Sequence, residues 1–395
     1  LKTLTQVTLT QPLEPLIRRG HPWIYADAIS GRGVRAQAGD VVDVVNRQGE
    51  WVARGVYDPD SPIRVRVWTT NPEVAVDDAL LEARIRQARR RRAQVLDAQT
   101  TGYRLLHGEG DRVPGLVCDL YGDVGVLRPD GVAAERWIMP ARRVIERLTG
   151  VKRWVIRRAQ IHKGDHEVTE WLAGEGDPIA RFTEHGVALS CDVLHGQKTG
   201  FFLDQRENRQ RIAQLARGKR LLNLFGYTGG FSIMAAMQGA AQTTTVDLAA
   251  PAIRMAEEHF AMNGLNPTDH SFVVADVFDY LETLSAERAP FEIAVCDPPS
   301  FAHKRRDVER AQAAYIRLFA ALLRVMPSQS LVALASCSSH IHRALFLEIV
   351  AEAAREASCD VVLTGIHGAA QDHPILPGFP EGDYLQCVIG SVVRD

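Results

Sequence analysis

At 395 residues the chain is too long for one ordinary hydrophobic core and implies two or three domains. Its 46% hydrophobic and 24% charged residues are those of a soluble globular protein, and no apolar run approaches the ~20 residues of a membrane span. The net charge of −2 hides an asymmetry: residues 1–165 carry 27 Lys+Arg against 20 Asp+Glu, whereas residues 166–395 carry 19 against 28. A basic front half suits a polyanion, with chemistry left to the acidic rear; solvated basic faces without a partner would give the same split. Cys118, Cys191, Cys296, Cys337, Cys359 and Cys387 lie far apart with no Cys-x-x-Cys, so neither zinc nor a disulfide framework is expected. The N-terminus has no secretory pattern, a start at Leu1 implies trimming, and the cytoplasm is the expected location.

In chain order, residues 1–72 predict short strands at Gln6–Leu9, Val41–Val45, Trp51–Tyr57 and Ile63–Trp68, separated by Gly39-Asp40, Gly49 and Asp58-Pro59-Asp60. Strands this short point to a small closed β-domain. Arg18, Arg19 and Trp23 stand together in Arg-Arg-Gly-His-Pro-Trp-Ile-Tyr, and paired arginines beside an aromatic suit phosphate contact with stacking. By itself Trp23 fits a core better than a platform. Residues 73–185 open with a helix, Ala79 to about Leu96, capped by Asp77 or Asp78. Leu80, Leu81, Ile85, Ala88 and Val95 form its apolar side, and Arg84, Arg86, Arg89, Arg90, Arg91 and Arg92 its polar side, of which Arg89 and Arg90 are the chosen RNA contacts. A mixed α+β domain follows, with strands at Val124–Arg128 and Trp154–Arg157 and a helix from Glu135 to Leu148.

Residues 186–395 read as a doubly wound α/β sheet. The run Leu221–Phe225, the turn Gly226-Tyr227-Thr228-Gly229-Gly230 and the helical spacing of Ile233, Met234, Ala236 and Met237 form its opening strand, tight loop and helix. Glycines let a ligand lie against bare backbone, and the first amides of the helix point at it. A second strand ends in Asp247, twenty-one residues past Gly226, where such units put a carboxylate for ribose hydroxyls. Strands from Ser271 and Phe291 end in Asp276 and Asp297, so four strands end in polar residues at one edge. The turn lacks the Gly-x-Gly-x-x-Gly spacing of a pyrophosphate binder, which disfavours a dinucleotide.

With these features the chain resembles the class I S-adenosylmethionine-dependent methyltransferases. Thr199-Gly200-Phe201-Phe202-Leu203-Asp204-Gln205-Arg206, Asp297-Pro298-Pro299-Ser300-Phe301 and Ser336-Cys337-Ser338 make it similar to the 23S rRNA large-subunit methyltransferase I family, which forms 5-methylcytosine. The likeness spans nearly all 395 residues. It implies three domains: a PUA-like RNA-binding barrel at 1–72, a linker helix with a central α+β domain at 73–185, and a Rossmann-like methyltransferase domain at 186–395. It also implies S-adenosylmethionine as cofactor and large-subunit ribosomal RNA as partner, with no membrane; a homodimer is expected by analogy alone. Cofactor contacts are expected from Phe201, Asp204, Asn223, Phe225, Gly226, Tyr227, Thr228, Gly229, Asp247, Asp276, Val277 and Asp297. Within this set the likeness puts Asp204 near the amino group, Asp276 on the adenine amine and Val277 against the ring. Lys198, Pro298 and Phe301 are expected to meet RNA.

Two prolines after Asp297 cannot continue a strand, so they fix the backbone and aim the carboxylate into a cleft. C5 of cytosine is not nucleophilic until something adds to C6, and a thiolate does this well. Cys337 follows the apolar run Leu331–Ala335, which puts it at a strand tip. The expected reaction has Cys337 attack C6 while Asp297 stabilises the base. One departure stands out: related enzymes carry a second cysteine in a Pro-Cys-Ser context, where this chain has Pro299-Ser300. Cys296 lies inside its strand, and among His303, Lys304 and His340 none is assigned as the base that takes the C5 proton. Nitrogen methylation on the same fold, or a non-catalytic RNA-binding module, remain the alternatives.

Overall fold

The computed structural model describes residues 4–30, 34–158, 167–284, 290–301 and 307–394. The chain forms two compact units. The first comprises Leu1–His185, Cys191–Leu203 and Gln371–Gly382, and the second Gly186–Ser190, Asp204–Ala370 and Asp383–Asp395.

The first unit begins with β1 (Thr5–Thr8), α1 (Glu14–Arg18), β2 (Trp23–Tyr25), β3 (Val41–Val45), β4 (Trp51–Tyr57) and β5 (Ile63–Thr69). The sheet runs β1-β3-β4-β5-β2. Its outer edges meet: Thr10 N–H donates to the Ala28 carbonyl (2.9 Å) and Ser30 N–H to that of Thr8 (3.0 Å), closing the small barrel the short strands predict. Val7, Ile24, Val42, Val44 and Val65 fill it. Next comes α2 (Asp78–Val95), capped by Asp77, whose carboxylate accepts from Leu80 N–H at 2.9 Å.

A second sheet of the first unit holds β6 (Gly102–His107), β7 (Leu116–Tyr121), β8 (Val124–Pro129), β9 (Arg153–Arg158) and β10 (Val168–Ala173), ordered β10-β9-β8-β7-β6. β8 and β9 are parallel because α3 (Val132–Glu135) and α4 (Ile138–Thr149) form the crossover between them. The single helix expected over Glu135–Leu148 is therefore two. It restarts after the buried Trp137, whose indole packs on that of Trp68 with ring centroids 4.6 Å apart. β11 (Ile179–Glu184) and β12 (Val187–Asp192) follow in the chain.

The second unit adds α5 (Arg206–Leu215), β13 (Arg220–Leu224), α6 (Gly230–Met237), β14 (Gln242–Asp247), α7 (Ala250–Met262), β15 (Ser271–Val274), α8 (Val277–Thr283), β16 (Ile293–Cys296), α9 (Val308–Val325), β17 (Leu331–Ser336), α10 (Arg343–Glu356), β18 (Asp360–His367) and β19 (Gln386–Val393). Its sheet runs β15-β14-β13-β16-β17-β19-β18, with only β19 reversed against its neighbours. Central strands buried on both faces read as continuous apolar runs, which is why Leu221–Leu224 and Ile293–Cys296 show no alternation. The order of strands turns back between β13 and β16, the crevice where open α/β sheets bind ligands.

Candidate active site

Register brings the predicted residues to one edge of the second unit's sheet. Leu224 lies opposite both Val246 and Cys296, and Cys296 opposite Leu334, so Phe225, Asp247 and Asp297 emerge at one level. After β13 the backbone turns through two non-glycine residues in the left-handed region, Phe225 (φ 55°) and Tyr227 (φ 46°), before Gly229 (φ 74°) starts α6. Left-handed backbone at bulky residues is costly and persists only where surrounding contacts impose it. Two such contacts are visible. A Cβ on Gly226 would lie 2.5 Å from Thr245 Cγ2, and one on Gly229 would lie 2.8 Å from Ala256 Cβ. The loop is pressed onto β14 and α7.

Asp247 ties this loop down. One of its oxygens accepts from Tyr227 N–H (2.8 Å) and the other from Ala249 N–H (2.8 Å), leaving each a further lone pair. Beneath the loop, the buried Asn223 donates to Ser232 Oγ (3.0 Å), and Thr245 Oγ1 donates to the same atom (2.7 Å). Thr228 is buried as well, and neither Asn223 Oδ1 nor Thr228 Oγ1 has a hydrogen-bond partner among the described residues. Asp276 is exposed and caps α8, accepting from Phe278 N–H (2.7 Å); Val277 behind it is buried.

Asp297 is half-buried and accepts from Gln205 Nε2 (2.9 Å), itself held by Asn208, whose amide donates to Gln205 Oε1 (2.7 Å). Asp204 accepts from the Tyr384 hydroxyl (2.6 Å). Pro298 is buried, and its carbonyl lies 3.9 Å from Cys337 Sγ, which is itself only half-buried. The sulfur therefore faces the turn that carries Asp297. Below it, the Tyr315 hydroxyl meets Ser336 Oγ and Ser338 Oγ, each at 3.0 Å, and Ser338 Oγ meets Ser300 Oγ at 3.0 Å. Burial pushes the Tyr315 hydroxyl up to about 12, so it stays a proton-bearing strut between the two turns. Phe301 packs its ring on Tyr315, centroids 4.7 Å apart. Cys296 points into the core, where burial, and then Asp297, push its thiol well up. His340 is exposed; His303 and Lys304 lie outside the described residues.

Other predicted residues belong to the first unit. Thr199 Oγ1 donates to Asp119 (2.6 Å), which receives a bidentate Arg104 guanidinium (2.8 Å twice), and Phe201 N–H donates to the Tyr121 hydroxyl (3.2 Å). Phe201 is buried against Phe182, and Lys198 holds its ammonium 4.4 Å from the Phe202 ring. Trp23 is half-buried, its indole N–H donating to Glu109 (2.7 Å) and its ring 4.6 Å from that of Phe379. Arg18, Arg19, Arg89 and Arg90 are exposed. The expected polar side of α2 needs correction. Arg84 is buried and donates to the Trp68 carbonyl (2.5 Å), and Arg92 is buried in a bidentate pair with Asp111 (2.6 Å twice). Arg91 also reaches Asp111 (2.5 Å), and Arg86 pairs with Glu82 (2.6 Å). Val95, expected on the apolar side, is exposed.

The sequence reading missed His259. It is fully buried on α7; Nδ1 donates to the Thr228 carbonyl (2.9 Å), and Nε2 accepts from Ser190 N–H (3.0 Å). Desolvation lowers its pKa, which fits a neutral ring with one donor and one acceptor. Ala252, Ala256, His259 and Phe260 fall at helical spacing, a signal that would have put it on the inner face.

Comparison with known proteins agrees with this architecture. The S-adenosylmethionine-dependent methyltransferase family model matches residues 104–371, and a PUA-like domain model matches residues 7–70. The protein named ribosomal RNA large subunit methyltransferase I from Shewanella denitrificans is 35% identical, covering 98% of this chain and 99% of its own length. A ribosomal RNA large subunit methyltransferase from Deinococcus radiodurans is 36% identical, covering 97% and 96%. Among solved structures, a SAM-dependent methyltransferase from Streptococcus mutans shares the fold at TM-score 0.84 and 21% identity, covering 98% of this chain and 100% of its own. By its matched domains and its full-length relatives, the chain belongs to the ribosomal RNA large-subunit methyltransferase I family of S-adenosylmethionine-dependent enzymes.

Proposed function

We propose that this chain methylates C5 of a cytosine in large-subunit ribosomal RNA. The relatives' names support ribosomal RNA as substrate, and the basic front half of the chain supports a polyanion. The cofactor would supply an electrophilic methyl group. The second unit fits a ligand bearing a sulfonium and an ammonium: Asp204, Asp247, Asp276 and Asp297 are all its residues, and Asp247 keeps lone pairs for a ribose diol. The strained Phe225–Gly229 backbone would cradle the nucleoside, and Asp276 with Val277 the adenine.

Cys337 Sγ, as thiolate, bonds to C6 of the cytosine, and the electron pair of the C5–C6 double bond moves into the ring. Asp297 holds the base through N3 or the amino group while that charge develops. C5 would then bond the methyl group as its bond to the donor sulfonium breaks and that electron pair stays on sulfur as a thioether; a base removes the C5 proton, and the electrons of that C–H bond restore the double bond as the thiolate leaves. The observation that carries this reading is the half-buried sulfur beside the Asp297-Pro298-Pro299 turn, on a strand tip rather than inside the core. Nitrogen methylation would need no such thiol. We further propose that the barrel at 1–72 and the arginines of α2 hold RNA while 186–395 does the chemistry. Cys337→Ala is expected to bind S-adenosylmethionine normally and transfer no methyl to stripped ribosomal RNA. Retained transfer would move the assignment to a base nitrogen.

A further inference from the structure

The hydroxyls of Ser336, Tyr315, Ser338 and Ser300 form a chain beside Cys337, and of these residues only Ser300 is not fully buried. Its bonds have a direction. Ser336 Oγ donates to the Tyr315 oxygen (3.0 Å) and Phe301 N–H bonds the same atom, which occupies both lone pairs and sends the Tyr315 proton to Ser338 Oγ (3.0 Å). Ser338 Oγ then meets Ser300 Oγ at 3.0 Å. We infer that the chain runs outward, from Ser336 through Tyr315 and Ser338 to Ser300, and that the Ser300 hydroxyl ends it as a catalytic hydrogen-bond donor to the 2-carbonyl of the target cytosine. This deepens the cytosine reading and rests on it.

The chemistry calls for such a donor. When a thiolate adds to C6, the displaced electron pair spreads over C5, N3 and the 2-oxygen, and a donor fixed there in advance lowers the barrier. A carboxylate only accepts, so Asp297 suits the amino group of the base and leaves the 2-carbonyl to another residue. Pro298 and Pro299, next in the turn, have no N–H to give. Ser338 is buried, and Ser339 and His340 are exposed. Ser300 is half-buried on the turn whose Pro298 carbonyl lies 3.9 Å from Cys337 Sγ, and it bonds the residue that follows Cys337. Parallel pairing of β16 with β17 sets these two turns side by side. Tyr315 already ties them, through Phe301 N–H on one and Ser338 on the other, so Ser300 is not needed as a tie. Each hydroxyl that accepts a bond also becomes a better donor, more so away from water, which makes Tyr315 and Ser338 positioning residues for Ser300.

The test uses the intact protein, S-adenosylmethionine and large-subunit RNA transcribed with 5-fluorocytidine. Fluorine cannot leave C5 as the proton does, so the reaction stops with the thiol bonded to C6, and a denaturing gel reads how fast that adduct forms. Ser300→Ala should form it about a hundredfold more slowly, the usual effect of deleting one donor of this kind. Its S-adenosylmethionine affinity should be unchanged, which reports that it is folded. Ser300→Thr, which restores a hydroxyl, should recover most of the rate, and Tyr315→Phe, which removes the proton given to Ser338, should slow the adduct by less than Ser300→Ala does. A Ser300→Ala or Tyr315→Phe protein as fast as the parent, or a Ser300→Thr protein no faster than Ser300→Ala, overturns the inference and leaves the cytosine reading standing. A parent that forms no adduct removes the Cys337 reading and the inference with it.

Discussion

Asp247 and His259 act on neighbouring residues of the same loop. Asp247 accepts from Tyr227 N–H, and His259 donates to the Thr228 carbonyl. Asp247→Ala is expected to weaken S-adenosylmethionine binding by about 1–3 kcal/mol, the usual effect of deleting a partner of buried polar groups, checked by calorimetry. His259→Gln should raise KM for the cofactor more than it lowers kcat, since the ring positions the loop and touches no reacting atom. Its depressed pKa also gives a sign. The unfolded chain takes up a proton near the ordinary histidine value of about 6.5, while the buried ring resists it, so stability present above that pH is lost as pH falls toward the folded pKa. His107, half-buried in the first unit and held well below the ordinary histidine value by desolvation and then by His373, acts in the same direction. The midpoint of thermal unfolding should fall on acidification from pH 7 to 5, and less steeply in His259→Gln.

Among elements, α2 shows how far a pattern reaches. Its cap, its length and the burial of Leu81, Ile85 and Ala88 follow from the sequence. Asp77→Ala should cost about 1 kcal/mol in denaturant unfolding, the loss of one capped amide. The fate of its arginines does not follow, because Asp111 and the Trp68 carbonyl lie in other elements. Asp111 accepts from Arg91, from Arg92 twice and from His107 N–H (2.7 Å), all at a buried site. Asp111→Ala, which strands a buried guanidinium, should cost about 3–5 kcal/mol by the same measurement. The break between α3 and α4 has a local cause instead: Pro140 has no N–H and its ring clashes with the carbonyl four residues back, at Arg136, where the helix is interrupted.

For the whole molecule, charge is the property that sequence states most directly and structure revises most. The front half carries the excess of Lys+Arg, yet several of those arginines face inward on Asp111, Asp119, Glu109 and Asp130. The proposal that the exposed Arg89 and Arg90 meet phosphates predicts that replacing both by Ala reduces the slope of log affinity for RNA against log salt by about 2. The sequence alone determined β13 to β17 of the second unit, though not β18 and β19, together with the glycine turn and the acids and thiol at the strand tips, because a strand buried on both faces and stopped by Gly, Pro or Asp announces itself locally. Only the tertiary structure decided that Phe301 packs on Tyr315, that Thr199 hangs from Asp119, and that a histidine far along the chain props the loop. Those partners are separated by 14, 80 and 31 residues, and which side chains meet across such spans is set by how sheets and helices stack, a quantity no local periodicity contains.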